Sequence, residues 1–366
     1  MISYMDWHSN QWRALLGNGI GRLGHATLLI GGKGLGQREF ADQLAALLLC
    51  EAPRAASASS AGRPHACGSC PSCHWLSTES HPDFRAVQPE DAGEGDDEAE
   101  EKATAVPGKG KKLSSAIKIG AIRALEDFVF VGSHRHGRRV VIIDPAEAMN
   151  VHAANALLKI LEEPPASVYF ILVSCKSRAL LPTLRSRCRS LEFSRPSRAD
   201  AEAWLRNVGS DTRGARFLDV VNGAPATVLE WQHSKLLPAM ESVIDSLFAL
   251  LRSSSADPLA LATQWDALLK KEATLSLELL VEATQRWVFD LAQRHAVGEM
   301  HYHTAWAGSA SGASAPLSGL TRGWRELLRF RRSANHPLNQ LLFLEDFATQ
   351  LVRAVAPADT PAPGKR

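Results

Sequence analysis

Neither sign of charge dominates this 366-residue sequence, no long apolar run interrupts it, and its cysteines are few and unevenly placed. Each lack excludes something. A formal net charge of +2, with a pI of about 8.2, excludes a strong global field that would steer the chain to nucleic acid or to a membrane. Any DNA contact must therefore be local. No segment approaches the roughly 18 uninterrupted apolar residues of a spanning helix, and no basic-apolar-small signal stands at the amino terminus. The chain reads as cytoplasmic, with no membrane partner. Six cysteines, three of them in one tight cluster, suit metal binding in a reducing compartment better than a disulfide framework. At 45% hydrophobic, the chain exceeds one ordinary core and predicts two or three domains.

A further lack is chemical. After the predicted strand Thr27 to Ile30, the loop from Gly31 through Gly32, Lys33, Gly34, Leu35 and Gly36 to Gln37 and Arg38 has the glycine spacing of a phosphate-binding loop that opens a helix. Gln37 stands where the phosphate-binding lysine belongs, and Arg38 where the magnesium-binding hydroxyl belongs. Lys33 cannot take the missing place without a change of register. After Asp144, the slot for a water-activating glutamate holds Pro145, and Glu147 lies too far along to substitute. Phosphoryl transfer depends on lysine, magnesium and a water-orienting group. These absences predict a vestigial loop, kept for strand–helix packing, with no ATP bound or hydrolysed by this chain alone.

What is present centres on Val140 to Cys188. Val140 to Ile143 form a short β-branched run ending at Asp144, which predicts a strand buried on both faces with a carboxylate at its carboxyl end. Open α/β sheets put ligands at that end. Asn150 can cap a helix running to Glu163, with Ala154, Leu157, Leu158 and Leu161 on one face, and Pro164-Pro165 stops it. A second apolar strand, Val168 to Val173, follows, and then a basic turn carrying Arg185, Arg187 and Arg189 around Ser186 and Cys188. Two strands joined by a helix make a right-handed parallel unit.

The hhhhD strand, the Asn155-to-Pro165 helix end (NALLKILEEPP) and the Ser186-Arg187-Cys188 turn, in that order, resemble the AAA+ clamp-loader subunits of bacterial DNA polymerase III. The resemblance implies an α/β RecA-like parallel-sheet domain followed by all-α parts: a helical lid, then a helical collar bundle. Arg187 would then be an arginine finger acting in trans on a neighbour's ATP. The implied partners are the other loader subunits (gamma/tau and delta) in a hetero-oligomeric ring and, through that ring, the sliding clamp and primed DNA. The degenerate loop narrows the choice to a subunit without catalysis of its own.

Cys67, Cys70 and Cys73 form two overlapping Cys-x2-Cys steps with glycine and proline between them, a knuckle that aims three thiolates at one point. A tetrahedral structural zinc needs a fourth ligand. The resemblance implies Cys50, at the end of the helix Glu39 to Leu49, while His65, His74 and His81 are local rivals. Cys175 and Cys188, in or beside apolar strands, read as small buried core thiols.

The domain expectations are a RecA-like domain over 1–193, holding the zinc knuckle (50–81) and an insertion at about 88–113, then a lid over 194–232 and a collar over 233–366. The insertion runs from the acids Glu90 to Glu101 into Lys102, Lys109, Lys111 and Lys112, too poor in apolar groups to offset its ordering entropy, so it reads as a disordered surface segment. Residues 6–18 predict an amphipathic helix, and Ile119, Ile122, Leu125 and Phe128 predict another. His134 to Arg139 reads as a solvated connecting turn. Beyond Phe193 the pattern is helical: Arg198 to Val208, Arg213 to Val221, and stretches around 247–251, 259–269, 275–292 and 338–355, linked by Ser253 to Ser255 and Gly308 to Gly319. Where active relatives carry a sensor arginine after the turn Gly223-Ala224-Pro225, this chain has Ala226 and Thr227.

Two rival functions are a stand-alone AAA+ ATPase and a zinc-dependent DNA-binding module. Gln37 and Pro145 argue against the first, and near-neutral charge without a recognition-helix pattern against the second.

Overall fold

A computed structural model describes residues 5–17, 19–55, 63–89, 116–130, 137–210, 212–253, 256–310, 315–334 and 339–356. The charged part of the insertion, 90–113, lies outside them, as do 134–136, 254–255 and 311–314. The chain divides into two compact units, Met1–Arg195 and Pro196–Arg366. The first is α/β and the second all-α.

The first unit is built on a five-stranded parallel sheet in the order β2-β3-β4-β1-β5, with β1 at Ala26–Gly31, β2 at Phe84–Val87, β3 at Arg139–Ile143, β4 at Val168–Ser174 and β5 at Arg189–Phe193. All five residues of β3 are buried, so the strand is covered on both faces, as its β-branched run predicts. Alternation sorts its side chains. Val141 and Ile143 join Leu28, Phe170 and Leu172 on one face, against α4 (Ile119–Phe130) and α5 (Val151–Glu162). Val140 and Ile142 join Leu29, Ile171 and Val173 on the other, against Phe40, Leu44, Leu47 and Leu48 of α2 (Gln37–Leu49) and Trp12 of α1 (Ser9–Leu16). Helices on both faces of a parallel sheet satisfy strands that are apolar throughout. Asn150 caps α5 by accepting the Ala153 N–H at 2.8 Å.

Several expectations need correction. The basic turn after β4 is a helix, α6 (Pro182–Arg187), running directly into β5. Arg139 is a buried strand residue and not part of a solvated turn. Its guanidinium lies 3.8 Å from Asp83 and donates to Val129 O at 2.7 Å and to Phe128 O, which satisfies the charge inside the unit. Cys175 is exposed and Cys188 is half-buried, so neither is a fully enclosed core thiol.

In the second unit, α7 is Arg198–Asn207, α8 Thr212–Arg216, α9 Pro225–His233, α10 Leu237–Arg252, α11 Pro258–Lys271, α12 Leu277–Val297, α13 Leu317–Ser333 and α14 Gln340–Val355. The helix expected to reach Val221 ends at Arg216, and Phe217, Leu218, Val220 and Val221 are buried from a turn. α11 packs on α14, α14 on α13, α13 on α12 and α12 on α10. α13 starts inside the run expected to be a linker. Residues 196–232 are knitted to the bundle by the Phe217–Trp306 ring pair at 5.3 Å, the Arg216–Glu241 ion pair at 2.6 Å and an Arg286 bond to Val220 O. Among the described residues, no helix is long and apolar enough to cross a membrane.

Candidate functional site

Two candidate sites sit at the two ends of α2. At its amino end, β1 feeds the glycine loop, and Gly36 takes the cap position at φ 94°, a left-handed conformation that glycine adopts without strain. Gln37 is buried, and its amide folds back to donate to Gly32 O at 2.9 Å, inside the loop. Arg38 bridges Asp42, at 3.1 Å, and Asp144, also at 3.1 Å. Burial works to lower the Arg38 pKa, but the two carboxylates more than offset it and hold the guanidinium above its ordinary value. A fixed cation thus rests on the carboxylate that a magnesium ion would need.

The mouth of the loop is covered as well. Met5 and His8 are buried over Gly36, where an added Cβ would overlap Met5 Sδ and His8 Cε1. His8 donates from Nε2 to Leu35 O at 2.8 Å, and its ring packs edge-on against Phe193 and Phe40. Burial drives its pKa down to about 4, so the imidazole is neutral at pH 7. Nothing in the amino-terminal sequence linked these residues to the loop. Backbone N–H groups that could cradle a phosphate are here faced by a thioether and a neutral ring.

At the carboxyl end, Cys50 caps α2 and the chain returns through an antiparallel bridge between Arg54 and His65. This brings Cys67, Cys70 and Cys73 to Cys50, with all four sulfurs within 4.8 Å of one another. The Cys50–Cys73, Cys50–Cys70 and Cys67–Cys73 Sγ separations are 3.8, 3.9 and 4.0 Å. A tetrahedron with Zn–S bonds of about 2.3 Å has edges of about 3.8 Å, so the four thiols fit a tetrahedral metal ion. Backbone N–H groups of Cys67, Cys70 and Cys73 donate to the sulfurs of Cys50, Cys67 and Cys70 at 3.2, 3.3 and 3.5 Å, the pattern that favours thiolate. The Ser69 backbone leads the groups that pull the Cys67 thiol down to about 6, while burial pushes Cys50 and Cys73 up.

Of the rivals for the fourth position, His74 is exposed, and His65 serves the bridge with its backbone. His81 is engaged elsewhere. The buried Ser72 hydroxyl donates to Leu49 O at 2.7 Å, so at 2.7 Å from His81 Nε2 it must accept; His81 Nδ1 accepts the Asp83 N–H at 3.0 Å. This fixes the Nε2–H tautomer and ties α3 (Pro71–Ser77) to the end of α2.

Arg187 closes α6. It donates to Thr183 O at 3.1 Å and pairs with Glu162 at 2.5 Å; the side chains are 36% and 52% exposed. Its partner is therefore Glu162 of α5, whereas Glu192 offers its backbone carbonyl to Gln11 at 2.8 Å.

A five-stranded parallel sheet with helices on both faces, in which β1 feeds a glycine loop and an arginine just after that loop answers the carboxylate that ends β3, is the α/β core that the resemblance implies. The class implied by the resemblance therefore holds. The chain belongs to the family described as DNA polymerase III, delta subunit, whose model matches residues 10–197. Its relatives are named DNA polymerase III subunit delta′. That of Pseudomonas aeruginosa is 29% identical over the whole of both chains. Those of Haemophilus influenzae and Escherichia coli K12 are 32% and 29% identical, over 50% and 62% of this chain and 46% and 60% of their own. A solved DNA polymerase III gamma subunit-related protein of Thermotoga maritima has a TM-score of 0.41 at 20% identity, over 90% of this chain and 96% of that one.

Proposed function

We propose that this chain is a non-hydrolysing, delta-prime-type subunit of the DNA polymerase III clamp loader. It acts in the cytoplasm in a hetero-oligomeric ring with gamma/tau and delta subunits, which opens the sliding clamp and loads it on primed DNA with ATP bound by its neighbours. The observation that carries this reading is the Arg38–Asp144 pair beneath a loop covered by Met5 and His8. A chain whose magnesium carboxylate is already neutralised contributes to ATP chemistry only through what it presents to a neighbour. In this reading the four-cysteine site (Cys50, Cys67, Cys70, Cys73) holds a structural zinc, which supplies folding free energy locally. Residues 194–232 form the lid and 233–366 the collar by which the subunit packs into the ring.

The residue presented to the neighbour is Arg187. Its pairing with Glu162 is solvent-exposed and so contributes little to stability, which leaves the guanidinium available to a γ-phosphate. Arginine fingers supplied in trans are worth on the order of 10³ to 10⁵ in rate. The test is Arg187→Ala in the reconstituted loader. DNA- and clamp-stimulated ATP turnover falls by orders of magnitude, while the melting temperature of the isolated chain and ring assembly stay unchanged. Unaltered turnover in a fully assembled complex removes the in-trans role. Failure to co-purify with other loader subunits removes the subunit reading itself.

A further inference from the structure

One helix carries more net positive charge than the chain as a whole. α13 carries Arg322, Arg325, Arg329, Arg331 and Arg332 against the single acid Glu326, a net +4; in a chain of net +2 the remaining residues therefore sum to −2. Arg322, Arg325, Arg329 and Arg332 follow one another at i, i+3, i+7 and i+10. That spacing lines them along one face over about 15 Å, and all four are exposed.

The rotation of the helix is fixed by its opposite face. Leu320, Leu327 and Phe330 are buried. At Gly319 and Gly323, an added Cβ would overlap the backbone carbonyl and the Cβ of Ala354 on α14, so the absence of side chains there lets α14 close on α13. The arginine face consequently points to solvent. Arg329 pairs with Glu326 at 2.7 Å, and no salt bridge among the described residues involves Arg322, Arg325 or Arg332. A solvated ion-pair helix would alternate signs along such a face, and this one does not.

One edge of the face is apolar. Leu317, Trp324 and Leu328, at i, i+7 and i+11, are 47%, 36% and 43% exposed, and the Trp324 indole lies 6.2 Å from the half-exposed Phe289 ring. Guanidinium forks match pairs of phosphate oxygens, and an exposed indole offers a platform on which an unpaired base stacks. A duplex would engage the first element and leave the second idle. A single strand engages both, and an evenly repeated charge along the helix suits a polymer with one charge per unit.

We propose that the outer face of α13 binds single-stranded nucleic acid, with phosphates on Arg322, Arg325, Arg329 and Arg332 and a base against Trp324. This goes beyond the loader reading and does not depend on the metal or on Arg187. It is a contact of the local kind to which a near-neutral chain is confined.

The test is fluorescence anisotropy of the full-length chain with labelled oligothymidine across about 50 to 200 mM salt. Each phosphate neutralised adds about 0.7 to the slope of log K against log salt, so the unmodified chain gives a slope near −3. The quadruple substitution R322Q/R325Q/R329Q/R332Q removes most of that slope and at least about tenfold of the affinity at low salt. Trp324→Ala weakens binding about five- to a hundredfold with the slope retained. Lys271→Glu, on α11, changes neither; the arginine and lysine variants keep the parent melting temperature because those side chains are exposed, and Trp324→Ala, which gives up the Phe289 contact, is compared at a temperature where it is fully folded. No binding at low salt overturns the proposal, as does a quadruple variant that binds like the parent. Tighter binding to duplex together with an inert Trp324→Ala overturns it too. If the quadruple variant binds oligothymidine normally but no longer co-purifies with other loader subunits, the face is a protein interface instead.

Discussion

The two ends of α2 have gone opposite ways. At the amino end, the side chains that replace the phosphate and magnesium ligands are answered from within the chain, Gln37 by Gly32 O and Arg38 by Asp42 and Asp144, and Leu35 O accepts from His8. At the carboxyl end, four sulfurs converge within 4.8 Å of one another, three of the separations being 3.8 to 4.0 Å, and face one another across a centre sized for a cation. Buried polar groups must find partners. A site stays open to a ligand when its donors cannot satisfy one another, as four like thiolates cannot, and closes to one when complementary side chains are placed within reach. Both ends keep their loop geometry; only one keeps its need.

The comparison can be broken most strongly at the metal end. Cys70→Ser should reduce zinc from about one per chain to near none and cost the first unit about 4 kcal/mol, a fall in melting temperature of about 8–16 °C. Elemental analysis of protein purified without chelator, followed by a thermal melt, reads both. No zinc in the parent protein would end the metal reading.

Acid should act at the other end. His8 has a folded pKa of about 4 against an ordinary value of 6.5, so below pH 6.5 the unfolded chain takes up a proton that the folded chain refuses. The stability held by neutral His8 is present above pH 6.5 and is lost as pH falls toward 4. Between pH 7 and pH 5 the loss amounts to about 2 kcal/mol. Denaturant titrations at both pH values should show His8→Gln with a shallower dependence than the parent. Equal dependence would mean that the strap over Gly36 does not hold its imidazole neutral.

A smaller effect is expected of Arg38→Ala. The pair is partly solvent-screened, so its loss should cost about 1 kcal/mol, measured against the parent in the same titrations. Smallest of all is the expected gain from repair: Gln37→Lys with Arg38→Thr should leave ATP turnover at the buffer level, because Met5 and His8 still cover the loop and Pro145 remains. Steady turnover by that variant would show that two side chains alone closed the site.

Some of this was legible in the sequence because its signals are local. The β3 run, the Asn150 cap of α5 and the triple cysteine each lie within a dozen residues, and each is where it was expected. The edge strands β2 and β5 were not foreseen, since Arg85, Arg189 and Glu192 interrupt their apolar alternation. Arg139 read as a turn residue because its partner, Asp83, is remote in sequence. α13 was not foreseen: three of its residues fell in the expected linker and the others were given to no element, because glycines stand at two of its contact positions, where a helix signal needs apolar side chains. The strap of Met5 and His8 over the loop spans about thirty residues of chain and leaves no periodic trace.

The Arg38–Asp144 pair also sets what this chain can sense. A carboxylate whose counter-ion is covalently part of the same polypeptide cannot exchange it, and no chelator or change in free magnesium will strip it. Because the guanidinium is held above its ordinary pKa, no accessible pH will discharge it either. The end of the sheet where Asp144 sits therefore keeps its fixed cation whatever the level of free magnesium. In the ring proposed above, it would be a fixed datum against which the movements of hydrolysing neighbours register.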